Sequence, residues 1–245
     1  MRVTVVVPTY NEVGNVDTLL RGVRAALPDA SILIVDDGSP DGTADRAEEL
    51  GRELGGVEVV RRATKQGLGD AYRAGFAQAI AAGADVCVQM DADLSHEPAM
   101  LPALVAVVEH GADLAIGSRY VPGGITLDWP RRRRWVSRWG NRYAAGVLGL
   151  AINDATAGFR AYRSSALRAM RYDDVRAEGY GFQIEMTYRI VRLGGKCVEF
   201  PITFRDRTEG VSKFSGSIVR EAFGLVVRLW VADFGGRRRR RKLGG

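Results

Sequence analysis

Short apolar runs and amphipathic stretches take turns along the first half of the chain, and this alternation limits the possible folds more than any other feature. Val3–Val7, Ile32–Val35, Val57–Val60, Val86–Met90 and Leu114–Ile116 are near-continuous apolar runs of strand length. Between them lie helical stretches: Val16, Leu19, Leu20, Val23 and Leu27 at a 3.6-residue period, then Asp41–Leu54, Ala71–Ala82, and Pro98–Glu109 with proline in its first turn. Strands that are apolar on both faces and separated by helices form a parallel sheet with helices packed on each side. The expected fold is therefore α/β.

The rhythm changes after Gly117. Gly123-Gly124 marks a loop and Arg131–Arg134 a basic run. Helices are expected over Arg134–Leu150, Phe182–Leu193 and Ser217–Val231, a short extended piece at Ala161–Arg163, and a strand over Lys196–Phe204. There is no internal repeat and no clear linker. The expectation is one unit over residues 1–235, followed by a basic, disordered tail over 236–245.

Charge narrows the function classes. The net charge is +6, and the six cations of Arg237–Arg241 and Lys242 account for the whole excess of 35 basic over 29 acidic residues. The body is neutral, which argues against a globally basic nucleic-acid binder and against a non-catalytic module whose basic tail grips nucleic acid or membrane. The tail suits an anionic lipid surface. No apolar stretch reaches the length of a membrane span, and the opening residues read as a strand rather than a signal peptide. Two cysteines, Cys87 and Cys197, form neither a disulfide framework nor a CxxC metal pair. A reducing, cytoplasmic setting is expected.

Acidic residues follow three of the strands: Glu12 after the first, Asp36 and Asp37 at the end of the second, Asp91 and Asp93 after the fourth. In a parallel α/β sheet that edge is where ligands bind. One such cluster is ordinary turn and cap chemistry, as in Asp36-Asp37-Gly38-Ser39-Pro40-Asp41-Gly42, with Asp41 a candidate N-cap. Three clusters on one edge repel each other unless a cation lies among them. Hard carboxylate oxygens in an Asp-x-Asp pair suit Mg2+ or Mn2+. No GxxxxGK[ST] or GxGxxG loop is present.

These residues carry a resemblance. Val7-Pro8-Thr9-Tyr10-Asn11-Glu12, Val35-Asp36-Asp37-Gly38-Ser39-Pro40-Asp41-Gly42-Thr43 and Asp91-Ala92-Asp93-Leu94-Ser95-His96 resemble inverting family 2 glycosyltransferases of GT-A fold. Lys65–Gly69, Gly117–Tyr120, Gly158–Arg160, Gly179–Glu185 and Gly210–Lys213 resemble the dolichol-phosphate (polyprenol-phosphate) mannosyltransferases. The resemblance implies transfer of mannose from GDP-mannose to a polyprenyl (dolichyl) monophosphate. The alternative is a polyprenyl-phosphate glucosyltransferase using UDP-glucose. By motif position, Pro8, Tyr10, Glu12, Val35 and Asp37 would surround the guanosine end. Asp91, Ala92 and Asp93 would meet the ribose, the diphosphate and a divalent metal, Mg2+ or Mn2+, with Ser95 as a further metal position. Arg119, Arg133 and Ser137 would hold the acceptor phosphate, and Arg207 and Lys213 would close over the donor. Asp91, Asp93 and Arg119 are the expected catalytic set.

A phosphate monoester is already anionic near neutral pH, so such chemistry requires no strong base, and His96 and His110 are read as structural. The acceptor lies in a bilayer. Arg134, Arg138 and Arg142 recur every four residues, with Trp135, Trp139 and Tyr143 one position on, a pattern that suits the headgroup boundary. Membrane-anchored relatives carry C-terminal spans, whereas this sequence ends in arginines. The resemblance thus implies peripheral attachment at the cytoplasmic face of the membrane, with anchoring borrowed from an integral-membrane partner.

Overall fold

The computed structural model describes residues 1–206 and 222–233. Arg207, Lys213, the start of the last expected helix and the basic tail lie outside the described residues. The first half alternates as its apolar runs demand: β1 (Val3–Thr9), α1 (Val13–Ala26), β2 (Ser31–Asp36), α2 (Thr43–Leu54), β3 (Val57–Arg61), α3 (Leu68–Ala81), β4 (Val86–Gln89), α4 (Leu101–Glu109) and β5 (Leu114–Ser118). There follow β6 (Ile125–Thr126), α5 (Arg131–Leu148), β7 (Arg160–Arg163), α6 (Ser164–Ala169), α7 (Gly179–Arg192), β8 (Cys197–Pro201) and β9 (Thr203–Phe204). Residues 222–233 form a further helix, α8.

The main sheet has the order β3-β2-β1-β4-β7-β5-β8. All pairings are parallel except those of β7, which runs antiparallel between β4 and β5. The short extended piece expected at Ala161–Arg163 is thus a central strand. The single strand expected over Lys196–Phe204 is instead divided. The break follows Pro201, which has no N–H to extend the ladder. β8 stays in the main sheet, and β9 pairs with β6 in a second, two-stranded sheet beside the cleft.

Alternation along the strands sorts side chains into two cores. Val5, Val7, Ile32 and Ile34 face α1, α2 and α4, while Val6, Leu33 and Val35 face the side covered by α3 and α7. The α1 stripe of Val16, Leu19, Leu20 and Val23 is buried as its period requires. α3 lies so close to β1 that a Cβ at Gly75 would stand 2.3 Å from Val6 Cγ1. Arg160 is fully buried in β7. Its guanidinium donates to the carbonyls of Ala155 (2.6 Å), Ala157 (2.6 Å) and Gln183 (2.9 Å), tying the loop after α5 to α7. With both faces covered, the carboxyl edge of the sheet is left open for a ligand.

The same substitution should have opposite signs at two helical glycines. Gly75→Ala overpacks against a stiff β-branched neighbour and should cost about 1–3 kcal/mol, whereas Gly146, on α5 with open space around it, should gain up to about 1 kcal/mol from helix propensity. Urea unfolding midpoints of the two variants check this.

Candidate active site

The first two acidic loops are stitched together by their own polar groups. The Asn11 amide donates to Ser39 Oγ (3.0 Å), the Glu12 amide to Thr43 Oγ1 (2.9 Å) and the Val13 amide to Asp41 Oδ2 (3.1 Å). Asp41 also accepts from the Thr43 amide and hydroxyl. Burial opposes its charge, but these donors hold its pKa below the ordinary carboxylate value. Asp41 therefore serves both helix starts. Asp36 turns inward, accepting from Thr9 Oγ1 (2.9 Å) and from the Ser39 amide (2.8 Å). Asp37 instead lines a cleft of about 370 Å3. Burial pushes its pKa up, while Arg62 (3.3 Å) and Lys65 pull it back. Lys65 Nζ also sits 3.7 Å over the Tyr10 ring.

The third acidic loop follows β4 and takes a left-handed turn at Leu94 (φ 58°), an unfavourable conformation for a leucine. The turn is held by Asp93, whose Oδ1 accepts from the Ser95 amide (3.1 Å) and hydroxyl (2.5 Å). Asp91 Oδ1 accepts from Tyr72 Oη (2.9 Å). Burial, and then the Asp91 charge, hold the Tyr72 phenol well above its ordinary pKa, so this donor stays protonated. Asp91 Oδ2 has room because residue 158 is glycine: a Cβ there would stand 2.8 Å from it. His96 is 3.9 Å from the same oxygen. Its buried ring stacks on Phe159 and meets Phe204 edge-on, so it braces the loop as expected.

Two ion-paired arginines line the same cleft. Arg119, 6% exposed, is clamped by the fully buried Asp154, which accepts from its Nε (2.7 Å), Nη2 (2.6 Å) and amide (2.9 Å). Nη2 also reaches Thr156 Oγ1 at 3.0 Å. Burial works against the Arg119 charge, but Asp154 outweighs it and holds the guanidinium pKa above its usual value. Arg133 pairs with Asp206 (2.6 Å) and lies 4.1 Å over the Trp129 ring. Beyond them a second, almost wholly apolar cavity of about 100 Å3 opens between α5, α7 and α8, lined by Val136, Trp139, Tyr143, Ile184 and Phe223 among others. Thr156 and Tyr180 line both cavities.

One cleft thus gathers Pro8, Tyr10, Glu12, Asp37, Asp91, Ala92, Asp93, Ser95, Arg119 and Arg133 from the expected site residues. Two others do not line it. Val35 is fully buried in the core beneath α3, because strand alternation points it away from the edge. Ser137 lines the apolar cavity, where its Oγ accepts from Tyr120 Oη at 2.7 Å. Ser95, expected as a metal position, spends its hydroxyl proton on Asp93 and serves to orient that carboxylate. Arg207 and Lys213 lie outside the described residues. Sequence reasoning gave no role to Lys65, Trp129, Asp154, Glu178, Tyr180 or Gln183, all of which line or brace the cleft. For three of them a signal was available: Lys65, Tyr180 and Gln183 fall inside quoted motifs.

Among the described residues, no three His, Cys, Asp or Glu side chains cluster closely enough to hold an ion alone. The donor chemistry still fits a hard divalent cation. Two carboxylates share the cleft, one oriented by Ser95 and the other beside a glycine that leaves space, so bound phosphate oxygens and water would complete the shell. Asp154→Asn would leave Arg119 buried without its counter-charge, and urea unfolding should show a loss of about 3–5 kcal/mol. A loss under about 1 kcal/mol would mean the pair behaves as a solvated surface bridge.

Comparison with known proteins agrees with this geometry. Residues 4–171 match the family Glycosyl transferase family 2. The chain is 49% identical over 232 residues to an undecaprenyl-phosphate mannosyltransferase of Micrococcus luteus, covering 95% of each chain. It is 49% identical over 222 residues to a polyprenol monophosphomannose synthase of Mycolicibacterium smegmatis, covering 90% of this chain and 84% of that one. In fold it is similar to glucosyl-3-phosphoglycerate synthase of Mycobacterium tuberculosis, solved with Mn2+, UDP-glucose and glycerol 3-phosphate. That match has a TM-score of 0.71 at 21% identity and covers 93% of this chain and 79% of the other. The fold is GT-A, with a mostly parallel central sheet between helices. A cleft lined by carboxylates and ion-paired arginines, on a sequence this close to polyprenyl-phosphate mannosyltransferases, places the chain in glycosyl transferase family 2, within that mannosyltransferase group.

Proposed function

We propose that the chain transfers mannose from GDP-mannose to a polyprenyl monophosphate with inversion at the anomeric carbon. The observation that carries this reading is that two neighbouring pockets share lining residues. A cleft lined by carboxylates and by Arg119 and Arg133 and an almost wholly apolar pocket are both lined by Thr156 and Tyr180. A nucleotide sugar fits the first, and a lipid phosphate fits the junction, with its head at the arginines and its first isoprene units in the groove. Ser137, at the groove, then flanks the head from the lipid side.

The chemistry follows from the groups present. One oxygen of the acceptor phosphate forms the bond to the anomeric carbon as the bond to the β-phosphate oxygen of GDP breaks, and GDP leaves with the electron pair. The nucleophile has a second pKa of about 6, so no protein base is needed near neutral pH. Arg119, whose Nε and Nη2 hydrogens are held by Asp154 and Thr156, offers its Nη1 hydrogens to the incoming phosphate from a fixed position. Asp91 and Asp93 would hold Mg2+ or Mn2+, which would supply charge neutralisation at the departing diphosphate. Lys65 and Tyr10 support the nucleoside end.

The acceptor's bilayer has a matching surface. Trp135 (68% exposed) and Trp139 (48%) stand on α5 among exposed Arg131, Arg132, Arg134, Arg138 and Arg142. Val227, Trp230 and Val231 of α8 are also exposed. The two helices join where Phe223 stacks on Tyr143 and Trp139. No helix among the described residues is long and apolar enough to cross a membrane. This basic and aromatic face supports peripheral docking at the cytoplasmic leaflet through the chain's own residues.

Incubation with GDP-mannose, Mn2+ and undecaprenyl phosphate should yield a product heavier by one hexose in mass spectrometry, and UDP-glucose should give at least tenfold less. Preference for UDP-glucose would overturn the donor assignment. Asp91→Asn and Asp93→Asn should each lower turnover by 100-fold or more, on the order of removing a main charge-stabilising group, with unchanged unfolding midpoints. Trp135→Ser should weaken binding to phosphatidylglycerol-containing vesicles by roughly tenfold, the effect of withdrawing one large apolar side chain, while leaving GDP affinity unaltered.

A further inference from the structure

Gln183 lies on α7, lines the cleft and is only 3% exposed. Its Oε1 is buried and has no hydrogen-bond partner among the described residues. A buried acceptor left unmade is costly, and native interiors rarely tolerate one without a reason. Asp91 is bonded by Tyr72, Asp93 by Ser95 and Arg119 by Asp154 and Thr156, while Trp129 Nε1 and Arg133 Nε, on the same cleft, are buried donors without a hydrogen-bond partner among the described residues. Gln183 Oε1 is an acceptor for which no described residue supplies a donor.

Its place in the cleft says what that donor is. The segment Asp154–Gly158 runs from one end of the chemistry to the other: Asp154 and Thr156 hold Arg119, and Gly158 lies against Asp91 Oδ2. Arg160 ties the carbonyls of Ala155 and Ala157 in this segment to the carbonyl of Gln183. Gln183 is therefore fixed beside the stretch between the diphosphate end and the acceptor-phosphate end. In any displacement at an anomeric carbon, the sugar ring occupies that stretch.

We infer that Gln183 is a specificity-determining residue that accepts a hydrogen bond from one hydroxyl of the transferred hexose. This rests on the mannosyl-transfer reading above. A site built to bond a substrate hydroxyl strongly rejects the analogue that lacks it, because the protein group is then left unpaired. Aliphatic atoms in place of the amide remove the penalty and the preference together.

The test measures kcat/KM for GDP-mannose and for its 2-, 3-, 4- and 6-deoxymannose analogues, with undecaprenyl phosphate as acceptor. Wild-type protein should process one analogue at least 100-fold less efficiently than GDP-mannose. Gln183→Met should lose a similar factor on GDP-mannose and no longer distinguish it from that analogue, with GDP affinity by calorimetry within threefold of wild type. Gln183→Met that discriminates all analogues as the wild type does would overturn the inference. Wild-type protein that processes every analogue within threefold of GDP-mannose overturns it without any variant. Absence of wild-type transfer from GDP-mannose overturns the parent reading as well, which separates the two failures.

Discussion

Six carboxylates, Glu12, Asp37, Asp91, Asp93, Glu178 and Asp206, line one cleft at the carboxyl edge of the sheet, and placing so many like charges together is the constraint that the surrounding structure answers. Asp37 is countered by Arg62 and Lys65. Asp91 is fixed by a phenol that burial keeps protonated, and Asp93 by the turn it caps itself. Asp36 and Asp41, acidic neighbours in sequence, are withdrawn into turn and cap bonds. Asp91 and Asp93 are thereby held in fixed orientations, and their hard oxygens suit a divalent cation.

The arginines are held by the opposite device. Arg119 would lose its ability to orient an anion if it were mobile, and Asp154 and Thr156 remove that mobility. The clamp neutralises much of the charge, so Arg119 contributes geometry and donors more than net attraction. Arg133, less buried, is paired to Asp206 beside the aromatic Trp129. Arg119 reaches Thr156, which lines both the polar cleft and the apolar pocket.

The parts legible in the sequence were those with a period or a dense local motif. The strand–helix alternation located the carboxyl edge, because apolar runs of strand length leave few other arrangements. The acidic loops were legible because turn-forming residues and carboxylates are adjacent in the chain. Val35 was misplaced because motif adjacency ignores the two-residue period that turns it under α3. Asp154 and Gln183 were missed because their significance lies in long-range partners: Asp154 is 35 residues from the arginine it clamps, and Gln183 matters through a bond left unmade. β7 was weakly marked because an arginine opens it, and only the completed fold shows that this arginine is buried and braced by carbonyls.

The central claim is that Asp91 and Asp93 bind nucleotide through a shared divalent ion. Manganese electron paramagnetic resonance tests it most directly, by titrating protein into Mn2+ with and without GDP. The account predicts that the free-ion signal falls to one ion bound per chain only when GDP is present, and that Asp93→Asn abolishes the fall. GDP binding that is equally tight in EDTA and in Mn2+ would contradict it.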